Sequence, residues 1–189
     1  MNISRLGELQ VDRLISLGFH RQLALSPNDY RKRFPRIVPK PNGYDDRFDL
    51  MVIVEADPAV ELSFQHRAAG IIECNKCGDL TTEGFQPETP YVIWTHDGRR
   101  YQTKSIGAAI ETFARDEVPC SQLEVTSLFI HYPELFKGRG IDSGRTYNKN
   151  NYYSTLLWVD ERAELALHHY NDFTPGLSVL SRGKLKEES

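Results

Sequence analysis

The chain has 189 residues, 40% of them hydrophobic, and a formal charge of −3 at neutral pH. A chain of this length buries roughly 70% of its unfolded surface, enough for one ordinary core, and its small negative charge argues against gripping nucleic acid by neutralising many phosphates. Three cysteines, an odd number, make no disulfide framework.

Apolar runs such as "LMVIV" fall far short of the roughly 20 residues that a membrane-spanning helix needs, so a soluble protein without a membrane partner is expected. The opening "MNISRLGELQVDRL" mixes acids and bases instead of pairing a basic start with an apolar stretch, so it reads as no secretory signal and points to the cytoplasm.

Leu6, Val11, Leu14 and Ile15 recur at helical spacing and Gly18 stands where a left-handed cap belongs, which predicts a helix over residues 4 to 17. In "LSPNDYRKRFP", Ser26 is a cap, Pro27 suits the first helical position, Asp29 completes a Ser-x-x-Asp box and Pro35 stops the run. The basic run "RKRFPRIVPK" reads as a solvated helix end leading into a loop. "DLMVIVEA" is short and partly β-branched, the pattern of a buried strand, and "DPAVELSFQHR" restarts a helix with Asp57 as cap. In "YVIWTHDGRRYQT", Asp97 and Gly98 accept the positive φ of a two-residue turn, predicting a hairpin. Ile106, Ala109, Ile110 and Phe113 form one helical face. Ser121 and Glu124 make a capping box for a further helix that Pro133 closes. Residues 137–153 read as a long polar loop, "STLLWV" and "ELALHHY" as another hairpin, and 182–189 as a frayed tail. Helices and antiparallel strands mingle without βαβ alternation, so the expected fold is α+β: one domain over residues 1–189, a mostly antiparallel sheet with packed helices.

Cys74 and Cys77 have the spacing at which two thiolates grasp one zinc. A structural zinc takes four ligands, so Cys120 and a histidine such as His66 or His96 would have to join them, and a single Cys-x-x-Cys also reads as a reduced hairpin turn. No cofactor is expected, with zinc as the alternative. His168 and His169, adjacent on a strand, point to opposite faces; His169 shares the side of Leu165 and Leu167, while His168 joins Ala166 and Tyr170. No Gly-x-Ser-x-Gly elbow, P-loop or dinucleotide fingerprint occurs. Arg139 and Arg145 lie in the polar stretch, where a guanidinium fork binds carboxylate or phosphate.

The order "TPYVIWTHDGRRYQTKSIGAAIETF", "DEVPCSQLEVTSLFIHYPELF", "GIDSGRTYN", "STLLWVD" and "GLSVLSRGK", with the opening "LISLGFHRQLALSPNDYR", resembles the bacterial family known as domain of unknown function 5701. That family carries a Tyr-containing strand before a Gly turn, a helix ahead of Pro-Glu-x-Leu, a Ser-Arg element, a strand ending near Trp and a terminal Gly-x-x-Ser with Arg. The resemblance carries over Pro133, Glu134, Leu135, Arg145, Trp158, Ser181 and Arg182 as residues of one pocket lip. Here Gly144 separates Ser143 from Arg145, "ALHHYNDFTPGL" replaces a Trp-rich segment, and the cysteine pair is no part of the family pattern. The family has no assigned activity, so what it implies is a fold.

The expected function is binding of a small molecule or protein in a pocket near the C-terminal hairpin. Arg145 and Arg182 are its anion anchors, Trp158 and Tyr170 its walls, His169 a polar contact, with Asp172 and Ser181 beside them. Two alternatives stand: a hydrolase or transferase using His169 or His131 with Asp172 or Asp142, and a zinc-stabilised structural module.

Overall fold

The computed structural model describes residues 3–34, 40, 41, 44, 47–73, 79–185 and 188. In chain order these form α1 (Ile3–Ser16), α2 (Phe19–Gln22), α3 (Pro27–Lys32), β1 (Leu50–Val54), α4 (Leu62–Ala69), β2 (Ile71–Ile72), β3 (Thr81–Thr82) and β4 (Tyr91–Thr95). Then follow α5 (Ile106–Ile110), β5 (Glu117–Pro119), α6 (Gln122–His131), β6 (Gly140–Tyr147), β7 (Tyr152–Val159), β8 (Arg162–His169) and β9 (Leu177–Gly183). The fold is α+β, with helices packed on a single, mostly antiparallel sheet of order β1-β4-β9-β6-β7-β8-β2. β3 adds beside β6 and β5 beside β9, and the β6–β9 and β2–β8 pairs are parallel.

The helix punctuation follows the expected chemistry. Gly18 takes φ 85° after α1, the Ser26 hydroxyl accepts from the Asp29 amide, and Ser121 with Glu124 closes a complete capping box on α6. One face of the sheet, through Ile141, Leu156, Leu165 and Leu180, packs on Val125, Leu128 and Phe129 of α6. Val179 and Tyr153 cluster with Ile106 and Ala109 of α5 and with Tyr101.

β1 is an edge strand, which would normally offer unpaired backbone groups to other chains. Side chains cover it instead. Gln10 of α1 donates to the Met51 carbonyl and accepts from the Ile53 amide, both at 2.7 Å. Tyr132 donates to the same Met51 carbonyl at 3.0 Å, and His131 Nε2 donates to the Ile53 carbonyl at 3.0 Å.

Four expectations need correction. The hairpin over residues 91–103 is not formed: Asp97 Oδ1 accepts from the Arg99 amide, and Arg99–Tyr101 coils into a 3₁₀ turn that sends Tyr101 into the interior. The α4 helix begins at Leu62, because Asp57 spends its side chain on the Ala59 amide in a preceding turn. The middle of the supposed loop 137–153 is the central strand β6 and its end opens β7; the polar side chains of β6 are buried but bonded: Asp142 accepts from Thr155 at 2.5 Å, and the Ser143 and Ser154 hydroxyls hydrogen-bond at 2.5 Å. Arg182, expected in a frayed tail, is fully buried in β9, and Glu188 packs back onto it. The β7–β8 hairpin does form, on a tight turn with Asp160 and Glu161 at φ 46° and 65°.

The basic run at the end of α3 is neutralised locally. Arg31 pairs with Asp12 at 2.8 Å, Lys32 with Asp29 at 2.7 Å, and Arg33 with Asp57 at 2.5 Å. Among the described residues no helix is long and apolar enough to cross a membrane.

Candidate functional site

Strand alternation decides which of the expected site residues meet. Ser181 and Arg182 are neighbours on β9, so they project to opposite faces. Arg182 points toward α6, where its Nε donates to Glu124 Oε1 at 2.5 Å; both side chains are wholly buried. Its Nη1 and Nη2 donate to the two carboxylate oxygens of Glu188 at 2.6 and 2.8 Å. Arg145, from β6, donates through Nη1 to Glu188 Oε1 at 3.1 Å and through Nη2 to the Phe85 carbonyl at 2.9 Å. The Leu185 amide completes the cradle, donating to Glu188 Oε2 at 2.9 Å. Two arginines 37 positions apart in the chain thus converge on a single carboxylate.

The electrostatics follow from burial. Loss of hydration works against the Arg182 charge, but Glu124 and Glu188 outweigh it and hold the guanidinium pKa above its ordinary value. For Glu188, burial works against the carboxylate, and hydrogen bonds from Arg182 and the Leu185 amide reverse the balance, so its pKa is depressed. Tyr91 donates to Glu124 Oε1 at 3.2 Å; burial, followed by the charge of Glu124, pushes its phenol well up.

Beside this pair lies a cleft of about 680 Å³. Its apolar wall comes from Pro41, Tyr44, Phe85, Pro87, Pro90 and Trp94, and its other side from Gly183, Lys184 and Leu185. The Phe85 and Gly183 carbonyls that accept from Arg145 and Arg182 therefore belong to residues of the cleft lining.

The remaining expected residues do not join the pair. Trp158 packs on Phe129 in the core, ring centroids 6.1 Å apart. Tyr170 is on the α5 side, stacked near Tyr153 at 5.5 Å and lying over Gly107, where an added Cβ would meet its ring at 2.5 Å. It shares with Arg145 only a smaller hollow of about 340 Å³. His169 stands at the ribbon's end against Tyr152, 3.8 Å from the exposed Asp172. The single hollow expected to unite guanidinium and imidazole groups is therefore absent among the described residues: the two arginines converge and His169 does not.

Two buried polar clusters escaped the sequence reading. Ser181 belongs to the first. The Gly98 amide donates to His96 Nδ1 at 2.9 Å and the Ser181 amide approaches Nε2 at 3.2 Å, so a backbone N–H faces each ring nitrogen; Nε2 also lies 2.9 Å from Ser181 Oγ. Ser181 in turn donates to Glu117 Oε1, which also accepts from Tyr101 at 2.7 Å. The Ser181 hydroxyl proton is directed at Glu117 and not at His96, so the cluster is a buried hydrogen-bonded chain that ties β9 to the 96–101 turn and β5. Burial lowers the His96 pKa to about 4, consistent with a neutral ring.

The second cluster joins His168 to Asp142. Nδ1 lies 3.2 Å from both carboxylate oxygens, and Nε2 lies 3.2 Å from Thr174. The Asp142 hydrogen bond is the main cause of a raised His168 pKa. Of the acids suggested as histidine partners Asp142 was apt, but its histidine is His168; His131 instead faces the Ile53 carbonyl. The placement of His168 on the opposite face from His169 was the signal available in the sequence.

Cys74 and Cys77 lie outside the described residues. Cys120 is fully buried in the core, and burial pushes its thiol well up. His66 is engaged by Glu73 at 2.6 Å and by Thr126 at 3.1 Å, and His96 as above. Among the described residues no group of three or more His, Cys, Asp or Glu side chains is placed to hold a metal ion.

No protein-family model, curated protein or solved structure matches this chain.

Proposed function

We propose that this protein binds an acidic ligand, placing a carboxylate on the Arg145–Arg182 pair and its apolar portion in the adjoining proline- and aromatic-lined cleft. One observation carries this reading: two guanidinium groups from different strands close on one carboxylate with three charge-assisted hydrogen bonds. Paired arginine forks suit planar carboxylate recognition, and their strength grows where water is excluded. The cleft volume falls within the range of small-ligand sites, and the arginines stand behind its wall, bonded to the carbonyls of the lining residues Phe85 and Gly183. In this arrangement Glu188 holds the position of the ligand's acid.

The test uses succinate as probe. Replacing Glu188 with Gln removes the resident charge, so that a neutral amide, a much weaker partner for the two guanidinium groups, is all that an added carboxylate must displace. Titration calorimetry should then detect succinate binding to Glu188→Gln, with at least about tenfold weaker binding once Arg145→Ala is added, the equivalent of one charge-assisted hydrogen bond. Succinate affinity that ignores Arg145 in a folded variant removes the arginine pair from the account.

A further inference from the structure

We infer that the partner recognised here is a polypeptide turn with an apolar residue three positions ahead of a glutamate, and that the chain's own Leu185-x-x-Glu188 turn is a resident copy of it. The inference rests on the anion-binding reading above and names the class of ligand for that site.

The resident turn has the form of a docked motif. Its two ends bond reciprocally: the Leu185 amide donates to the Glu188 carboxylate at 2.9 Å, and the Glu188 amide donates to the Leu185 carbonyl at 3.1 Å. Leu185 packs against the core cluster that includes α6 and β9, while Glu188 reaches the arginines. Apolar anchor and acidic anchor are thus set by one turn, which gives a partner both affinity and register.

Charge accounting argues for exchange over simple opening. Four ionised groups meet here, Arg145 and Arg182 against Glu124 and Glu188. Were Glu188 to leave alone, Arg145, only 8% exposed, would lose its one acidic partner among the described residues. A buried unpaired charge is costly, so the site favours replacement of one carboxylate by another. Beside Leu185 the cleft offers a partner's flanking residues apolar and proline surface that the resident turn leaves uncovered.

The experiment uses the full chain carrying Leu185→Ser and Glu188→Gln, which loosens both anchors of the resident turn. The probe is a fluorescein-labelled peptide of sequence GKLKEES, read by fluorescence anisotropy. The double variant should bind it at least about tenfold more tightly than the unmodified chain does, and a peptide with Gln at the position matching Glu188 should lose about that factor. Equal binding by both chains, with the variant folded, overturns the inference. If the double variant does not fold, Glu188→Asp keeps the charge on a shorter arm; it should bind the peptide a few-fold better than the unmodified chain, by roughly half the energy of one such bond, and no gain there also overturns the proposal. Succinate separates the two levels: succinate binding to Glu188→Gln without peptide binding leaves the anion site and removes the peptide class, whereas failure of both probes removes both.

Discussion

Acidification between pH 6.5 and 4.5 should destabilise this protein steeply, chiefly through His96 and His131. The His96 side chain is buried and that of His131 is part-buried against β1, and desolvation lowers their pKa values to about 4 and about 3 respectively. In the unfolded chain each titrates near pH 6.5. A folded pKa below the unfolded one means that the unfolded state binds more protons, so stability is full above pH 6.5 and falls as the pH drops toward the folded pKa. Each ring contributes a slope of about 1.4 kcal/mol per pH unit, so two rings over two units remove roughly 5 kcal/mol, a large share of a typical 5–15 kcal/mol total. His66, also lowered by burial but opposed by Glu73, adds in the same direction. His168 does not offset the loss. Its pKa is raised, so its contribution is complete below pH 6.5 and constant across this interval. Urea unfolding followed by the fluorescence of Trp94 and Trp158, at four pH values from 7.0 to 4.5, measures the slope. His131→Gln keeps a donor facing the Ile53 carbonyl while removing the titrating ring, and should lower the slope by about 1.4 kcal/mol per unit. An unchanged slope in that variant would refute the assignment of the acid sensitivity to buried neutral histidines.

Three further outcomes are expected. Arg182→Met strips the buried Glu124 of its cationic partner and leaves Glu188 with Arg145 alone, and should cost about 3–5 kcal/mol in urea unfolding at pH 7; a loss below about 1 kcal/mol would show that the charges rearrange. Asp142→Asn should return the His168 pKa, followed by imidazole proton shifts, toward the ordinary value. It should also abolish the stabilisation that the unmodified chain loses as the pH rises from 6.5 through the folded His168 pKa. Gly107→Ala brings a Cβ to within 2.5 Å of the Tyr170 ring, and should lower stability by about 1–3 kcal/mol unless Tyr170 swings away; a change in Tyr170 accessibility to nitration distinguishes the two responses.

The capping box at Ser121 and Glu124, the Ser26 cap, the glycine stop after α1 and the β7–β8 hairpin were legible in the residues because each rests on contacts within a few positions. Local chemistry of that kind is written in spacing. The same sequence misled where a polar stretch is buried: Asp142, Ser143 and Thr146 look like loop residues until Thr155, Ser154 and Thr82 arrive from other strands to satisfy them. Asp97–Gly98 reads as a hairpin turn because nothing nearby reveals that Tyr101 will be drawn inward by Glu117. Arg145 and Arg182 were recognisable as anion binders from their side chains, yet their meeting depends on β6 and β9 lying next to each other in parallel, a pairing between segments more than 30 residues apart.

By itself, then, the sequence determined the α+β class, most of the helix starts and stops, and the residue types able to hold an anion. Tertiary structure alone decided which of them face each other, since the two-residue period of a strand sent Arg182 toward Glu124 and Glu188 while turning its neighbour Ser181 toward His96. The physical reason is that propensity and capping act over a single turn of chain, whereas desolvation makes each buried charge depend on whichever distant group the sheet brings to it.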